Sequence, residues 1–576
     1  MYIIRKRPQK EEFLLKKPNL GLNIWAIHIS YLKYFVSEPK KKTRSLVGIA
    51  SIVAVATLIS KIFGLVRQQA IAAAFGVGAA VDAYNYAYVI PGFLLVLLGG
   101  INGPFHSAIV SVLAKRPKEE AATLVETITT IVSGFLLLIT VGLIIFADPL
   151  VDLVAPGLAR SAEGLEIRSI AIQQFRIMAP MALLAGLIGI GFGTLNAADQ
   201  YWLPSISPLF SSVTVIAGIL ILSLQIGDKI ITPEYALTGG LVLAWGTLIG
   251  AILQWLVQLA AQIRTGMGKL RLRFDFHQPG VKDVIKVMGP ATLSSGMLQI
   301  NVYTDLWFAS FIPQAAAAMG YAGLLVQTPL GILSNVILVP LLPVFSRLAD
   351  PQDWPELKQR IRQGLILTGI TMLPLSAIMI TLAVPIVRVI YERYAFNRSA
   401  SEFVAPVLIA YAIGMFVYLG RDVIVRVFYA LGDGDTPFRV SVVNIFLNAL
   451  LDYLLVQAFA APGLVLATVA VNLISMVVLL WYLDRQLNGL PWQEWGWPIV
   501  GLTGASFLTG LTCWGTLWGC QQIFGTEGLL IQVVQLCVSG LIGLSVFAVA
   551  ASMLNLPEVD VFVKRLRQRF GRHTNL

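Results

Sequence analysis

Long apolar segments alternate with short polar ones along most of the chain. An α-helix needs about 20 apolar residues to cross a bilayer. Windows of that length predict fourteen spans: residues 46–74, 80–112, 121–147, 167–195, 203–226, 235–262, 282–312, 316–346, 361–387, 402–430, 437–459, 463–483, 497–519 and 528–552. The pattern therefore predicts an all-α polytopic membrane protein with about fourteen transmembrane helices.

The composition supports a membrane protein and argues against an enzyme. Of the 576 residues, 57% are hydrophobic and only 13% are charged, whereas a soluble protein carries about 25% charged residues. The three cysteines lie in late apolar segments and lack metal-ligand spacing. The sequence contains no HExxH, GxSxG or P-loop motif.

Lysine and arginine cluster in alternate polar segments. Residues 1–44 hold eleven of them, residues 264–286 hold six, and residues 564–572 hold five. Under the positive-inside rule these segments face the cytoplasm, and so do both termini. Topology and contact with anionic membrane lipids therefore explain the net charge of +11 better than nucleic-acid binding does.

An internal repeat relates two parts of the chain at an offset of about 235 residues. The matching pairs are ATL at 56–58 with ATL at 291–293, AYNYA at 83–87 with MGYA at 319–322, and FGTLNAADQYWLP at 192–204 with FYALGDGDTP at 428–437. Chance similarity between apolar segments is the alternative. Two parallel repeats around a central cavity are a transporter architecture.

The repeat predicts two pseudo-symmetric six-helix lobes around a central cavity, followed by two further helices. The predicted parts are a basic cytoplasmic extension at 1–44, an N-lobe at 45–265 with helices 1–6, a C-lobe at 280–485 with helices 7–12, helices 13 and 14 at 495–553, and a basic cytoplasmic tail at 554–576.

The first two spans carry ionisable residues that a bilayer disfavours. Lys61 and Arg67 lie in the first span with Gly64 between them, and Asp82 begins the second. Each charge at mid-bilayer costs about 2.5–3.5 kcal/mol, so each needs a reason. One interpretation is a cationic cavity wall for an anionic substrate, with Asp82 as partner or gate. The other is that Arg67 pairs with Asp82 or extends to the interface.

The second half of the chain carries oxygen donors instead. Asp305 lies in the seventh span, Asn448 and Asp452 share one face of the eleventh because they are four residues apart, and Thr468 lies in the twelfth. Such hard donors suit a small hard cation. Bound Na⁺ or H⁺ is one interpretation, and a neutral aspartic acid hydrogen-bonded inside the bundle is the other.

Four stretches together resemble the MurJ/MviN family of the MOP superfamily, whose fold is similar to that of MATE exporters. They are SKIFGLVRQQAIAAAFGVGAAVDAY, RIMAPMALLAGLIGIGFGTLNA, QINVYTDLWFASF and FYALGDGDTPFRV. The resemblance runs from about residue 45 to 555. It implies a flippase that carries lipid II, the undecaprenyl-diphosphate-linked peptidoglycan precursor, across the plasma membrane. That role serves cell-wall biogenesis and cell shape, and it allows contact with other cell-wall synthesis proteins.

The resemblance also implies site residues. The residues that match the family's cavity motif are Ser60, Lys61 and Arg67, together with Asp82 at the start of the second span. The residues that match its sodium site are Asp305, Asn448, Asp452 and Thr468, with a backbone carbonyl near Leu464. No cofactor is required, and Na⁺ is the implied coupling ion.

Four positions depart from the family pattern. Lys61 stands where the family's cavity motif has its first arginine, and Gln68 stands where the family has an acid. Leu95 and Leu324 fall where the family has arginines. Either cations from other spans substitute, with Arg176 as the candidate, or the substrate is altered. Lysine at position 61 keeps the charge of arginine but loses its bidentate fork for phosphate.

The sequence thus predicts a flippase for lipid II or a similar lipid diphosphate that works by alternating access. Coupling to sodium or to the membrane potential is part of this hypothesis. Two alternatives remain open at this point. One is a MATE-like cation-coupled exporter of another substrate, and the other is a membrane scaffold that transports nothing, which the missing arginines suggest.

Overall fold

The computed structural model describes residues 46–100, 104–113, 116–286 and 300–558, together with residues 288 and 292. Within these ranges the chain is helical, and the only β-type pairing is an isolated bridge between Arg393 and Phe396. The α-helices are α1 Leu46–Phe75, α2 Ala79–Gly99, α3 Pro104–Leu113, α4 Lys118–Ile145, α5 Ala147–Val154, α6 Ala162–Met178, α7 Met181–Ala197, α8 Trp202–Ile206, α9 Leu209–Ile226, α10 Ala236–Thr265, α11 Ile300–Ala309, α12 Ala315–Arg347, α13 Trp354–Thr381, α14 Ala383–Tyr391, α15 Arg398–Ile413, α16 Met415–Ala430, α17 Asp435–Phe459, α18 Ala461–Gln486, α19 Trp492–Phe524 and α20 Leu529–Met553.

The predicted class, an all-α polytopic membrane protein, is confirmed. Among the described residues, 11 helices are long and apolar enough to cross a membrane, or 12 if α6 and α7, bent by 41°, form one span. The predicted seventh span, 282–312, lies partly outside the described residues. The predicted thirteenth span forms helix α19, which is absent from those 11 because its many Gly, Thr and Trp residues make it less apolar.

The chain divides into one unit of residues 1–52 and a second unit of residues 53–576. Of the first unit only residues 46–52 are described, so the predicted basic extension 1–44 lies outside the described residues. Most of the predicted tail 554–576 lies outside them as well. The boundaries of the two lobes stay a prediction.

Within the second unit, helices of each half pack mainly on helices of the same half. In the first half, α2 packs on α6 and α7, and α9 packs on α10. In the second half, α12 packs on α15 and α16, and α17 packs on α18. Glycines permit the closest approaches, as small residues do between membrane helices. A Cβ atom on Gly189 of α7 would clash with the carbonyl oxygen of Leu98 on α2.

Helix α1 is packed far less than its neighbours. In its most apolar window only 6% of the residues are buried, against 56% for the span that contains α10. Buried residues gather near its C-terminal end, at Ile71, Ala72, Ala74 and Phe75. Most of α1 after Val53 therefore has a free surface, and this is the helix that carries Lys61 and Arg67.

Candidate functional site

The two cations of α1 have no bonded counter-charge among the described residues. Both side chains are half-buried, and neither forms a hydrogen bond or a salt bridge there. Arg67 Nε is buried without a hydrogen-bond partner. The ammonium group of Lys61 reaches α12, where a Cβ atom on Gly331 would lie 3.2 Å from Nζ. An anion that enters beside α1 therefore meets uncompensated positive charge.

Ser60 and Gln68 lie on the same helix, each next to one of these cations in sequence. Both are half-buried, and neither side chain makes a hydrogen bond within the part of the chain that the structure describes. A hydroxyl and an amide can donate to phosphate oxygens. Their assignment as substrate-binding residues remains a prediction.

Asp82 does not pair with either cation, so the predicted ion pair with Lys61 or Arg67 is wrong for this conformation. Its side chain is 2% exposed, and its Oδ1 accepts a hydrogen bond of 2.9 Å from Ala317 N. Ala317 lies in the first turn of α12, whose preceding residue Gln314 provides no side-chain cap. A carboxylate satisfies free N–H groups at a helix N-terminus and complements its dipole, which explains why the acid lies there.

This cap belongs to a set of contacts that join the two halves of the second unit. The contacts are Tyr321 OH to Gly76 O at 2.7 Å, Ala395 N to Ala73 O at 3.0 Å, Gly157 N to Ser310 Oγ at 2.9 Å, and the Arg160 guanidinium 4.6 Å from the centre of the Phe311 ring. All of them lie at the end of the bundle where α1 turns into α2. We call this set, with Asp82 and Ala317, the closed end.

The oxygen donors of the second half come together as predicted. Asn448 Nδ2 donates to Asp305 Oδ1 at 2.7 Å and to Asp452 Oδ2 at 2.8 Å. Thr468 Oγ1 donates to Asp305 Oδ2 at 3.0 Å. Three helices, α11, α17 and α18, thus contribute to one cluster, which we call the oxygen cluster. Asn448 and Asp452 are fully buried.

Helix α17 explains how the cluster is positioned. Its buried side chains are Pro437, Val440, Asn444, Asn448 and Asp452, a stripe with a spacing of three or four residues. The polar members therefore share one face. The opposite face exposes large apolar side chains such as Phe446 and Leu450. In a bilayer the apolar face meets lipid, and the polar stripe is turned into the protein.

Two further residues of α18 lie next to the cluster without a shown bond to its side chains. Asn472 of α18 donates from Nδ2 to the carbonyl oxygen of Thr468 at 2.7 Å. It was missed, although its position four residues after Thr468 was a usable signal. Leu464 is fully buried one turn before Thr468. The role of its carbonyl group as a ligand stays a prediction.

The residues of the oxygen cluster fit a small monovalent cation. Asp452 Oδ1 is buried without a hydrogen-bond partner, which costs free energy unless a cation or a proton satisfies it. Within the described ranges, no lysine or arginine is bonded to either carboxylate. No group of three or more His, Cys, Asp and Glu side chains is found there either, as a transition-metal site would need.

The structure places no charged side chain at the two positions where the resemblance implies arginines. Leu95 and Leu324 are half-buried and bring no charge. Arg176, the candidate substitute, is bonded to Asp148 of α5, and both side chains are about half exposed. Arg176 is therefore already compensated and adds no free cation.

Comparison with known proteins identifies the family. The chain matches the family model described as lipid II flippase MurJ over residues 71–538. A probable lipid II flippase MurJ of Synechocystis sp. is 59% identical over 539 residues, which are 93% of this chain and 100% of that protein. The chain belongs to the MurJ family. A lipid II flippase MurJ of Burkholderia cenocepacia is 28% identical, covering 83% of this chain and 90% of that protein.

Solved structures share the fold of this MurJ family member. A lipid II flippase MurJ in an inward closed conformation aligns with a TM-score of 0.68 at 23% identity, over 86% of this chain and 98% of that one. An inward-facing multidrug resistance MATE transporter of the MOP superfamily aligns with a TM-score of 0.59 at 15% identity, over 76% of this chain and 98% of that one. At these identities the likeness extends to the fold alone.

Proposed function

We propose that this protein is a flippase that moves lipid II across the plasma membrane by alternating access. The observation that carries this proposal is the 59% identity to a probable lipid II flippase MurJ over that protein's whole length. The geometry supports it independently, because α1, the least buried of the candidate spans that the structure describes, presents uncompensated cations. A diphosphate is the kind of anion that such cations bind.

Lys61 and Arg67 bind the diphosphate in this proposal. Guanidinium offers phosphate a fork of parallel N–H donors, whereas the ammonium of lysine acts as a point charge. Since Leu95 and Leu324 supply no charge, the two cations of α1 carry most of the attraction. Ser60 and Gln68 provide neutral donors beside them.

The free surface of α1 suits a substrate that is half lipid. Leu58, Ile62 and Val66 are exposed on the same helix as the cations. A head group can therefore lie against the charges while its tail stays among apolar side chains and bilayer lipid. A soluble anion would not need this combination of surfaces.

The closed end acts as the gate at one side of the membrane. With the termini in the cytoplasm, the turn between α1 and α2 faces outward, so this conformation is closed on the outside. Asp82 holds the gate by capping α12 instead of by pairing with a cation. Opening to the outside breaks this cap together with the contact between Gly157 and Ser310.

Na⁺ is the cation that we assign to the oxygen cluster. Asp305, Asn448, Asp452 and Thr468 would hold it, and a bound ion would supply the positive charge that the two carboxylates lack. A ligand shifts a conformational equilibrium only by its differential affinity for the two states. Residues of three helices surround the site, so its affinity depends on how α11 packs against α17 and α18.

Growth rescue tests the proposed function. The full chain is expressed in bacteria depleted of their own lipid II flippase. We expect rescue by the unaltered chain, loss of rescue with Arg67→Ala, and retained rescue with the surface control Arg398→Ala. No rescue by the unaltered chain, with normal membrane insertion, contradicts the proposal and favours a scaffold. Rescue that survives Arg67→Ala refutes the role of this arginine.

A further inference from the structure

The eight residues 269–276, KLRLRFDF, follow α10 and alternate between polar and apolar side chains. The apolar members are exposed: Leu270 at 60%, Leu272 at 79%, Phe274 at 66% and Phe276 at 53%. None of these residues is helical. We call this stretch the alternating segment. Phe274 and Phe276 lie against each other, with ring centres 6.4 Å apart, and all four apolar side chains remain exposed.

The alternating segment is held firmly against α4. Glu126 of α4, whose side chain is 7% exposed, accepts from Lys269 N at 2.9 Å and from Arg273 Nε at 2.9 Å. Thr130, one turn further along α4, accepts from Arg273 N at 3.0 Å. Beyond the segment, Gln278 bonds to Thr127 at 2.8 Å. These bonds fix the segment at a defined height along a membrane helix.

That height is the boundary of the hydrocarbon layer. The chain carries no charged residue between Glu126 and Asp148, a run of about 20 residues, which is the length of a span, so the hydrocarbon layer begins near Thr127. The segment contacts Glu126 and Thr130, on either side of that residue. Non-helical backbone is excluded from the lipid-exposed hydrocarbon. The segment therefore lies in the interfacial region, with its apolar side chains beside the acyl chains.

The charge around the segment is positive. Arg264, Lys269 and Arg271 are exposed, and their side chains have no bonded partner in the described parts of the chain. Arg273 is neutralised by Glu126. Asp275 is the only acid within the segment. Basic side chains next to apolar ones at this level are the combination that binds the surface of an anionic leaflet.

We propose that the alternating segment is an interfacial anchor that binds anionic phospholipid. Leu270, Leu272 and Phe274 enter the acyl region of the leaflet where α4 begins. Lys269 and Arg271 contact lipid phosphate groups beside them. The anchor ties the connection after α10 to the membrane surface, and this proposal does not depend on what the protein transports.

The first test measures the depth of the segment. A spin label is placed at Leu272→Cys in the full chain lacking Cys513, Cys520 and Cys537, reconstituted in vesicles of phosphatidylglycerol and phosphatidylcholine. We expect the spin label to collide more often with dissolved oxygen, which enriches in the bilayer, than with a water-soluble nickel chelate. The control Asp228→Cys, in an exposed turn, gives the reverse. Equal accessibility of the two labels to the nickel chelate overturns the proposal. The proposal is also overturned if the label at position 272 is immobilised and cross-linking detects a dimer, because a second copy of the chain would then cover the segment.

The second test measures lipid preference. The double variant Lys269→Gln/Arg271→Gln is compared with Lys229→Gln by native mass spectrometry of protein that retains lipid. We expect retention of phosphatidylglycerol over phosphatidylcholine to fall about fivefold for each cation removed. The control, which removes an exposed lysine elsewhere, keeps the preference. Unchanged preference in the double variant, at an unchanged Tm in detergent, overturns the proposal.

Discussion

The two polar regions of this protein differ in how completely their charges are satisfied. Lys61 and Arg67 lie on α1, which has the least buried window of the described candidate spans. Both side chains are half-buried and have no bonded partner among the described residues. Asp305 and Asp452 lie in a closed cluster in which an amide and a hydroxyl bond to them at 2.7–3.0 Å. The first region keeps its cations without counter-charge on a largely unburied helix, and the second surrounds its carboxylates with hydrogen-bond donors.

Under the proposed function, two different ligands account for the opposite charges and the different packing of these regions. The proposed site for a lipid head group has to admit and release a bulky ligand, which requires that its cations keep a free surface. A site for a small ion needs several oxygens at fixed distances, so its helices pack closely. Each region therefore predicts a different response to substitution.

The largest expected effect concerns the oxygen cluster. Sodium at 100 times its Kd stabilises the folded state by about 2.7 kcal/mol, and Asp452→Asn is expected to abolish this gain. The measurement is Tm of the purified full chain in sodium against choline chloride. Asp228→Asn, which removes an exposed carboxylate, serves as the control and keeps the response. If Asp452→Asn responds to sodium as the unaltered chain does, the ion assignment is wrong.

The next effect concerns the gate. Loss of a helix cap costs about 0.5–2 kcal/mol, so Asp82→Ala is expected to shift the population towards an open outer end by about 2- to 30-fold. Spin labels at Asp228→Cys and Tyr394→Cys report the distance between the halves in a background without native cysteines.

A matched control for the gate is Asp433→Ala. Asp433 accepts from Thr436 N at 3.0 Å at the start of α17, inside one half of the protein. Its loss weakens a helix end that contributes nothing to the closed end. An equal change of the distance distribution in both variants contradicts a gating role for Asp82.

A smaller effect is expected at Lys61. Lys61→Arg restores the bidentate fork and adds about one hydrogen bond, so affinity for a lipid diphosphate should rise about fivefold. Lys61→Gln should lower it. Binding of a diphosphate lipid to the detergent-solubilised chain measures both. A rise with Lys61→Gln would falsify the idea that this side chain contacts phosphate.

The smallest effect concerns an exposed carboxylate. Arg168 bonds to Asp152 of α5 and lowers the pKa of this carboxyl below its usual value. A lowered folded-state pKa stabilises the protein above the unfolded pKa of about 3.9 and loses that stabilisation as pH falls through the folded pKa. Both side chains are partly exposed, so the gain is about 0.2–1 kcal/mol. Asp152→Asn should therefore lower Tm slightly at pH 7, and a larger loss would contradict this estimate.

The sequence predicted the oxygen cluster better than the gate, for a physical reason. Asn448 and Asp452 are four residues apart on one helix, so their common face follows from helix geometry. Asp82 binds a residue 235 positions away, and no local pattern reveals which helix end needs a cap. The nearby charge of Arg67 suggested the wrong partner. The backbone N–H groups of α12 carry no signal in the sequence.

The membrane spans could also be predicted from local sequence. The bends and breaks within them could not. Apolar length alone located the spans. The bend between α6 and α7 and the break between α2 and α3 lie inside stretches that are apolar throughout, so hydropathy did not show them. The loose packing of α1 was also hidden, because its window has the same mean hydropathy, 1.4, as that of α2, half of which is buried.

The most direct test of the account is binding of an undecaprenyl diphosphate lipid to the full chain and to two variants. Arg67→Ala should lower the affinity about 10- to 100-fold, as loss of charge-assisted hydrogen bonds predicts. Asp452→Asn should leave the affinity in sodium-free buffer unchanged, because the oxygen cluster does not contact the head group. Affinity that is unaffected by Arg67→Ala, in a protein with unchanged Tm, would contradict the claim that α1 forms the anion-binding wall.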